Sequence, residues 1–173
     1  MTATTWRMDS TQSDVLFQAK NTIITYLAGS KNKFDGYINI YNNELEDASI
    51  EFSLDVNNNT KLKKQNPKIG IGTFFNINKT PIISFKSTSF QKVNKNISFL
   101  KGNLTIQNIT KVVELDTEFI GIETQNGITK AHFEVIGKIN KNDFGLSNKS
   151  INKYGSLSYE KEINLIANLE FTI

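Results

Sequence analysis

One histidine, His132, and no cysteine stand in this chain of 173 residues. The missing thiols exclude disulfides, thiolate metal centres and cysteine nucleophiles. No second imidazole exists to complete a transition-metal site around His132. It lies in KAHFEVIG, alternating with Phe133 along a strand, and reads as a surface or hydrogen-bonded residue. Serines are plentiful, but none stands in the glycine-flanked elbow that exposes a nucleophile. Glu44, Glu46 and Asp47 crowd a turn between strands and read as a solvated loop. Gly70-Ile71-Gly72 lacks the lysine and the following helix of a phosphate loop. Carboxylate pairs for glycoside hydrolysis cannot be named from spacing in such a chain. No catalytic residue, metal or cofactor is expected, and the chain reads as a protein that is not an enzyme.

What remains is apolar. Phenylalanine is used 12 times, tryptophan once. Large rings suit strands and apolar cavities. Alternation of apolar and polar residues runs through Asp14–Lys20, Phe34–Tyr41, Ser49–Val56, Ile97–Gln107, Val112–Glu123, Gly127–Ile139 and Ser158–Ile173. In SIEFSLDV, Ile50, Phe52, Leu54 and Val56 take one face while Ser49, Glu51, Ser53 and Asp55 take the other. Such segments are half-buried strands. Asn42-Asn43, Asn94-Lys95-Asn96 and Gln125-Asn126-Gly127 punctuate them as turns. Two segments are predicted as short helical turns instead, Thr22–Ala28 and Thr60–Pro67. Pro81 stands at the entrance of the strand IISFKST, where its missing N–H costs no ladder bond.

The fold class is therefore all-β: one domain over residues 1–173, an extended antiparallel barrel of about eight strands with one or two short helical turns. Closure removes the sheet edges that long strands would otherwise expose. The net charge of +3 is spread along the chain, and nucleic acid is not expected as a partner. No apolar run is long enough for a helix to span a bilayer, so stable membrane insertion is not expected. Several Asn-x-Ser/Thr triplets reflect the richness in asparagine. The opening MTATTWRMDS carries no secretory pattern. A native N-terminus implies the cytoplasm; a Met replacing a removed leader implies the periplasm.

The order of these features resembles the YceI-like family, bacterial polyisoprenoid-binding proteins with a lipocalin-like barrel. Trp6, Asp9, Ser13, Val15 and Phe17 look like its opening W-x-I-D-x-x-H-S-x-V-x-F. Gly29, Phe34 and Gly36 follow its glycine and phenylalanine region. Phe74-Phe75, Pro81, Ile83, Phe85, Ser87 and Thr88 match F-F-D-x-x-x-Y-P-x-I-x-F-x-S-T. The segments from Gly102 to Ile106 and Thr110 to Leu115 look like the following strand pair, and the stretch from Asn140 to Leu146 resembles the N-R-x-D-F-G-L corner. Polar positions depart from the pattern: Gln12 and Asn21 stand at frequent histidine positions, Gln65, Asn66 and Lys68 replace Arg, Asp and His, and Lys141 replaces Arg. The hydrophobic frame is kept while the ionisable positions are diluted, so histidine chemistry is not expected.

The resemblance implies binding, sequestration or transport of a long-chain lipid: a polyisoprenoid, an isoprenoid quinone or a fatty-acyl chain. It also implies homodimers in many members, which no motif here fixes. Burial contributes about 0.8 kcal/mol per methylene, so ten carbons supply most of a micromolar affinity, about 8 kcal/mol. The residues expected to line the tunnel are Phe17, Phe34, Phe52, Phe85, Phe99 and Phe144, with Phe74 and Phe75 at its entrance. Two alternatives stand beside this reading: a lipid-modifying enzyme, and a ligand-free stress or interaction protein with a closed core.

Overall fold

The computed structural model describes residues 4–19, 22–41, 44–54, 82–94, 97–145 and 162–173. The alternating segments form ten antiparallel strands: β1 Thr4–Met8, β2 Asp14–Ala19, β3 Thr22–Ala28, β4 Lys33–Tyr41, β5 Glu44–Leu54, β6 Ile83–Lys92, β7 Ile97–Ile106, β8 Ile109–Gln125, β9 Ile128–Asn140 and β10 Glu162–Thr172. They join in the order β1-β4-β5-β6-β7-β8-β9-β10-β2-β3. A further pairing of Arg7 with Thr172 and Met8 with Phe171 closes β1 onto β10. Eight strands thus make a ring, as expected from the alternation, and β2 and β3 extend its wall.

β1 to β4 are one long hairpin with a break in each arm. β1 pairs with β4 and β2 with β3. In the outgoing arm, the Asp9 carboxylate accepts from Thr11 N–H at 3.1 Å and Thr11 Oγ1 at 2.7 Å, which turns Ser10–Gln12 into a single helical turn. In the returning arm Gly29 donates its N–H to the Ser13 carbonyl at 2.8 Å. A Cβ on Gly29 would lie 1.8 Å from the Ser10 carbonyl oxygen, so only glycine lets the two breaks nest.

The inward faces fill with apolar side chains. Phe34, Phe52 and Phe85 are register partners on β4, β5 and β6, and their rings stack at centroid separations of 5.9 and 5.4 Å. Gly102 completes that layer on β7, since a Cβ there would meet the Phe85 ring at 2.5 Å. Turn chemistry follows the sequence at Asn126-Gly127, where φ values of 53° and 80° make the tight left-handed link between β8 and β9. Gln107 and Asn108, with φ of 53° and 73°, make the same link between β7 and β8 without a glycine.

Two expectations are corrected. Glu44, Glu46 and Asp47 open strand β5 against β4 and are not a loop. Thr22–Ala28 is strand, and the short helical turns among the described residues are Ser10–Gln12 and Lys141–Phe144. A register shift at Phe17/Gln18 opposite β3 leaves Ile24 and Thr25 both buried. That local loss of alternation is what disguised the strand. Thr60–Pro67 lies outside the described residues.

Candidate functional site

Two irregularities open one end of the barrel. The β5–β6 ladder runs from Leu54–Ile83 to Glu51–Lys86 and stops. Beyond it β5 continues against β4, while β6 follows β7 through a register shift at Ser87/Ser89. The next backbone donor on β5, Ile50 N–H, goes to the Ser87 hydroxyl at 2.9 Å instead of to a strand carbonyl. The wall here has a margin held by side chains.

On the other flank, β8 outlasts β7. Their final pair at this end is Ile97–Glu118, but β8 runs on to Gln125 against β9. A bulge falls between Phe119 and Gly121: Phe119 faces Phe133, whereas Gly121 faces His132. The extra residue, Ile120, reverses the phase of the strand. Ile122 consequently pairs with buried Ala131, and Glu123 turns outward.

Between these flanks lies a cavity of about 240 Å³. Thr4 and Trp6 of β1, Ile40 of β4, Leu45 of β5, Phe119 and Ile122 of β8, Phe133 of β9 and Ile173 line it. Thr4 is the one polar side chain among these described lining residues, so what they offer is dispersion and dehydration. Phe133 supports it in two directions, with Phe119 at 5.2 Å and Phe171 edge-on at 5.5 Å. Ile122 and Ile173, which line it, are exposed, as are Tyr41 at the end of β4 and Ile128 at the start of β9.

His132 is on the outer surface of the same wall. Its Nε2 lies 3.2 Å from Glu123 Oε1 and its Nδ1 3.8 Å from Glu170 Oε1. The three side chains bring possible ligand atoms within 4.8 Å of one another. Lys130 Nζ stands 3.6 Å from Glu170 Oε2, so the group holds an ion pair beside the hydrogen bond of His132 with Glu123. The reading of His132 as a hydrogen-bonded surface residue agrees with this placement.

The phenylalanines chosen from sequence fall into three groups. Phe17, Phe34, Phe52, Phe85 and Phe144 are buried, and none of them lines the cavity. Phe99 is turned outward and is 39% exposed; Ser98 and Leu100 hold the inward positions beside it. Its assignment to the tunnel wall is therefore corrected. Phe74 and Phe75 lie outside the described residues. Trp6 and Phe133, which the sequence reading did not assign to the tunnel, do line the cavity. Phe119 and Ile122 were missed because both cannot face inward unless a bulge separates them.

The model of the YceI-like domain matches residues 6–171. The chain belongs to the YceI-like family. A UPF0312 protein of Staphylococcus aureus (strain MSSA476) is 28% identical over 178 residues, covering 98% of each chain. Among solved structures, BcnA of Burkholderia cenocepacia matches with a TM-score of 0.62 at 17% identity, over 94% of this chain and 98% of BcnA. The YceI protein of Campylobacter jejuni matches with a TM-score of 0.56 at 20% identity, over 91% and 84%. A polyisoprenoid binding domain from Saccharophagus degradans matches with a TM-score of 0.51 at 13% identity, over 96% and 97%. At these identities the structures speak for the fold. The YceI-like pattern also locates the departures: Gln12 is exposed at the end of the first helical turn, and Lys141 is buried in the second.

Proposed function

We propose that this YceI-like protein binds the long apolar chain of a lipid (polyisoprenoid, isoprenoid quinone or fatty-acyl) inside its barrel and carries or sequesters it without making or breaking a bond. The observation that carries this reading is an apolar cavity placed where the strand ladder parts. Its volume of about 240 Å³ lies just below the range of ordinary ligand pockets, about 300–1,000 Å³. A long chain therefore needs the mouth to widen, and the β5–β6 margin, where the ladder ends at Glu51–Lys86, is the place we assign to that parting. The name of the Saccharophagus degradans domain, polyisoprenoid binding, supports the same ligand class.

Trp6 lines the cavity and is the chain's only tryptophan, so its emission reports occupancy directly. Titration with geranylgeraniol is expected to change Trp6 emission saturably, and native mass spectrometry of freshly purified protein to reveal a lipid mass. The tight packing of Phe34, Phe52 and Phe85 favours a second reading, a barrel closed on itself. A bare polypeptide in repeated preparations, with Trp6 emission indifferent to lipid, would establish that reading instead.

A further inference from the structure

Beside the cavity, two buried hydroxyls stand opposite each other and have no hydrogen-bond partner among the described residues. Ser98 on β7 and Thr117 on β8 are direct partners in the ladder. They are 1% and 3% exposed, and neither Ser98 Oγ nor Thr117 Oγ1 has a hydrogen-bond partner. The same chain shows how such a pair is ordinarily satisfied. Thr105 and Thr110, opposite each other on these two strands, share a hydrogen bond of 2.7 Å, and Thr124 and Thr129 on β8 and β9 share one of 3.1 Å. Both of those pairs are solvent-facing, where water would have served. At the buried pair, where an unpaired hydroxyl opposes folding most, the bond is not made.

Their position gives the hydroxyls a use. Phe119, the next inward residue after Thr117, lines the cavity, and two residues of strand separate them by about 7 Å. Ser98 pairs on its other side with Lys92, on the arm of β6 that borders the open margin. An apolar chain entering between these flanks would meet Phe119 first and the two hydroxyls next.

We propose that Ser98 and Thr117 anchor the inner end of the ligand, and that this end carries an uncharged oxygen: an alcohol, or a carbonyl that accepts from both hydroxyls. This rests on the lipid-binding reading above and narrows it to chains that enter polar end first. Two neutral hydroxyls suit a neutral oxygen, because an ionised head group buried there would need a paired charge. A hydrocarbon without oxygen would leave both hydroxyls unpaired and bind more weakly.

Uptake of decan-1-ol and decane from vapour, followed by gas chromatography and by Trp6 emission, tests this. Wild-type protein is expected to take up both. The double variant Ser98→Ala with Thr117→Val is expected to hold decan-1-ol about ten-fold more weakly, a loss of ~1.4 kcal/mol, with decane uptake unchanged. Thr117→Ser, which keeps the hydroxyl and serves if the double variant does not fold, is expected to retain the wild-type preference for the alcohol. Equal loss of both compounds in the double variant, equal binding of the alcohol by wild type and double variant, or a Thr117→Ser protein without the preference, would each overturn the anchor while leaving lipid binding intact. Failure of the wild type to take up either compound overturns the anchor and the lipid-binding reading together.

Discussion

Phe119 faces Phe133 across the β8–β9 ladder with ring centroids 5.2 Å apart, one step before a bulge reverses the strand. That contact joins the ring's packed interior to the cavity, because both side chains line the cavity and Phe133 is backed by Phe171. Truncating Phe133 to alanine removes a ring that is 3% exposed and leaves its neighbours without a partner. The expected cost is about 3–5 kcal/mol. Urea unfolding of the variant and the wild type checks it, and a loss below about 1 kcal/mol would mean that the site collapses to fill the space.

Phe85 and Phe99 provide an internal comparison of faces. Phe85 stacks on Phe52 at 5.4 Å and is 1% exposed, whereas Phe99 looks outward. Phe85→Asp buries a carboxylate among rings and is expected to prevent folding or ligand retention. Phe99→Asp, which sets a carboxylate opposite Asp116 on β8 and removes a partly covered ring, is expected to cost about 1–2 kcal/mol while the protein still folds. Thermal unfolding of both variants reads the difference, and similar behaviour of the two would contradict the assigned register of β7.

These two phenylalanines also mark how far the sequence can be read. Phe85 sits in a strand whose alternation with Ile83 and Ser87 leaves one apolar face, and period two alone places it. Phe99 has serine on one side and leucine on the other, so the larger ring looked like the inward residue. The structure turns Ser98 inward instead, and nothing local to β7 encodes why a hydroxyl should be buried there. The bulge at Ile120 was equally hidden. It depends on β9 offering Phe133 and His132 in succession, a relation between distant segments, and it decides that Ile122 joins the cavity while Glu123 meets His132. The barrel was thus legible from local alternation, but the cavity arises where alternation fails.

Tyr26 and Asp14 couple stability to alkaline pH. Tyr26 Oη donates to Asp14 Oδ2 at 2.8 Å on the β2–β3 arm. This hydrogen bond, with some burial and the charge of Asp14, raises the tyrosine above its ordinary value of 10.0. A raised folded value means the contribution is full below pH 10.0, the unfolded value, and is lost as pH rises through the folded one. Tyr26 is about half exposed, so the effect on stability is small. Asp14→Asn is expected to bring one tyrosine back toward ordinary titration, seen in ultraviolet absorbance of tyrosinate. A titration curve identical to that of the wild type would show that the pair exerts no such hold.

Ser87 is the residue on which the entrance itself can be tested. Its hydroxyl accepts from Ile50 N–H at 2.9 Å, immediately after the last ladder pair between β5 and β6. Ser87→Ala removes that acceptor and leaves the donor with no oxygen on β6 to meet. A loss of about 1–2 kcal/mol in stability is expected from the unpaired backbone group. The margin should also part more readily, so a lipid that enters there should enter faster. Stopped-flow recording of Trp6 emission separates the two effects, because stability is measured without ligand and entry with it. Destabilisation with an unchanged entry rate would place the way in elsewhere; a faster rate would identify the β5–β6 margin as the gate through which the chain is threaded past Phe119.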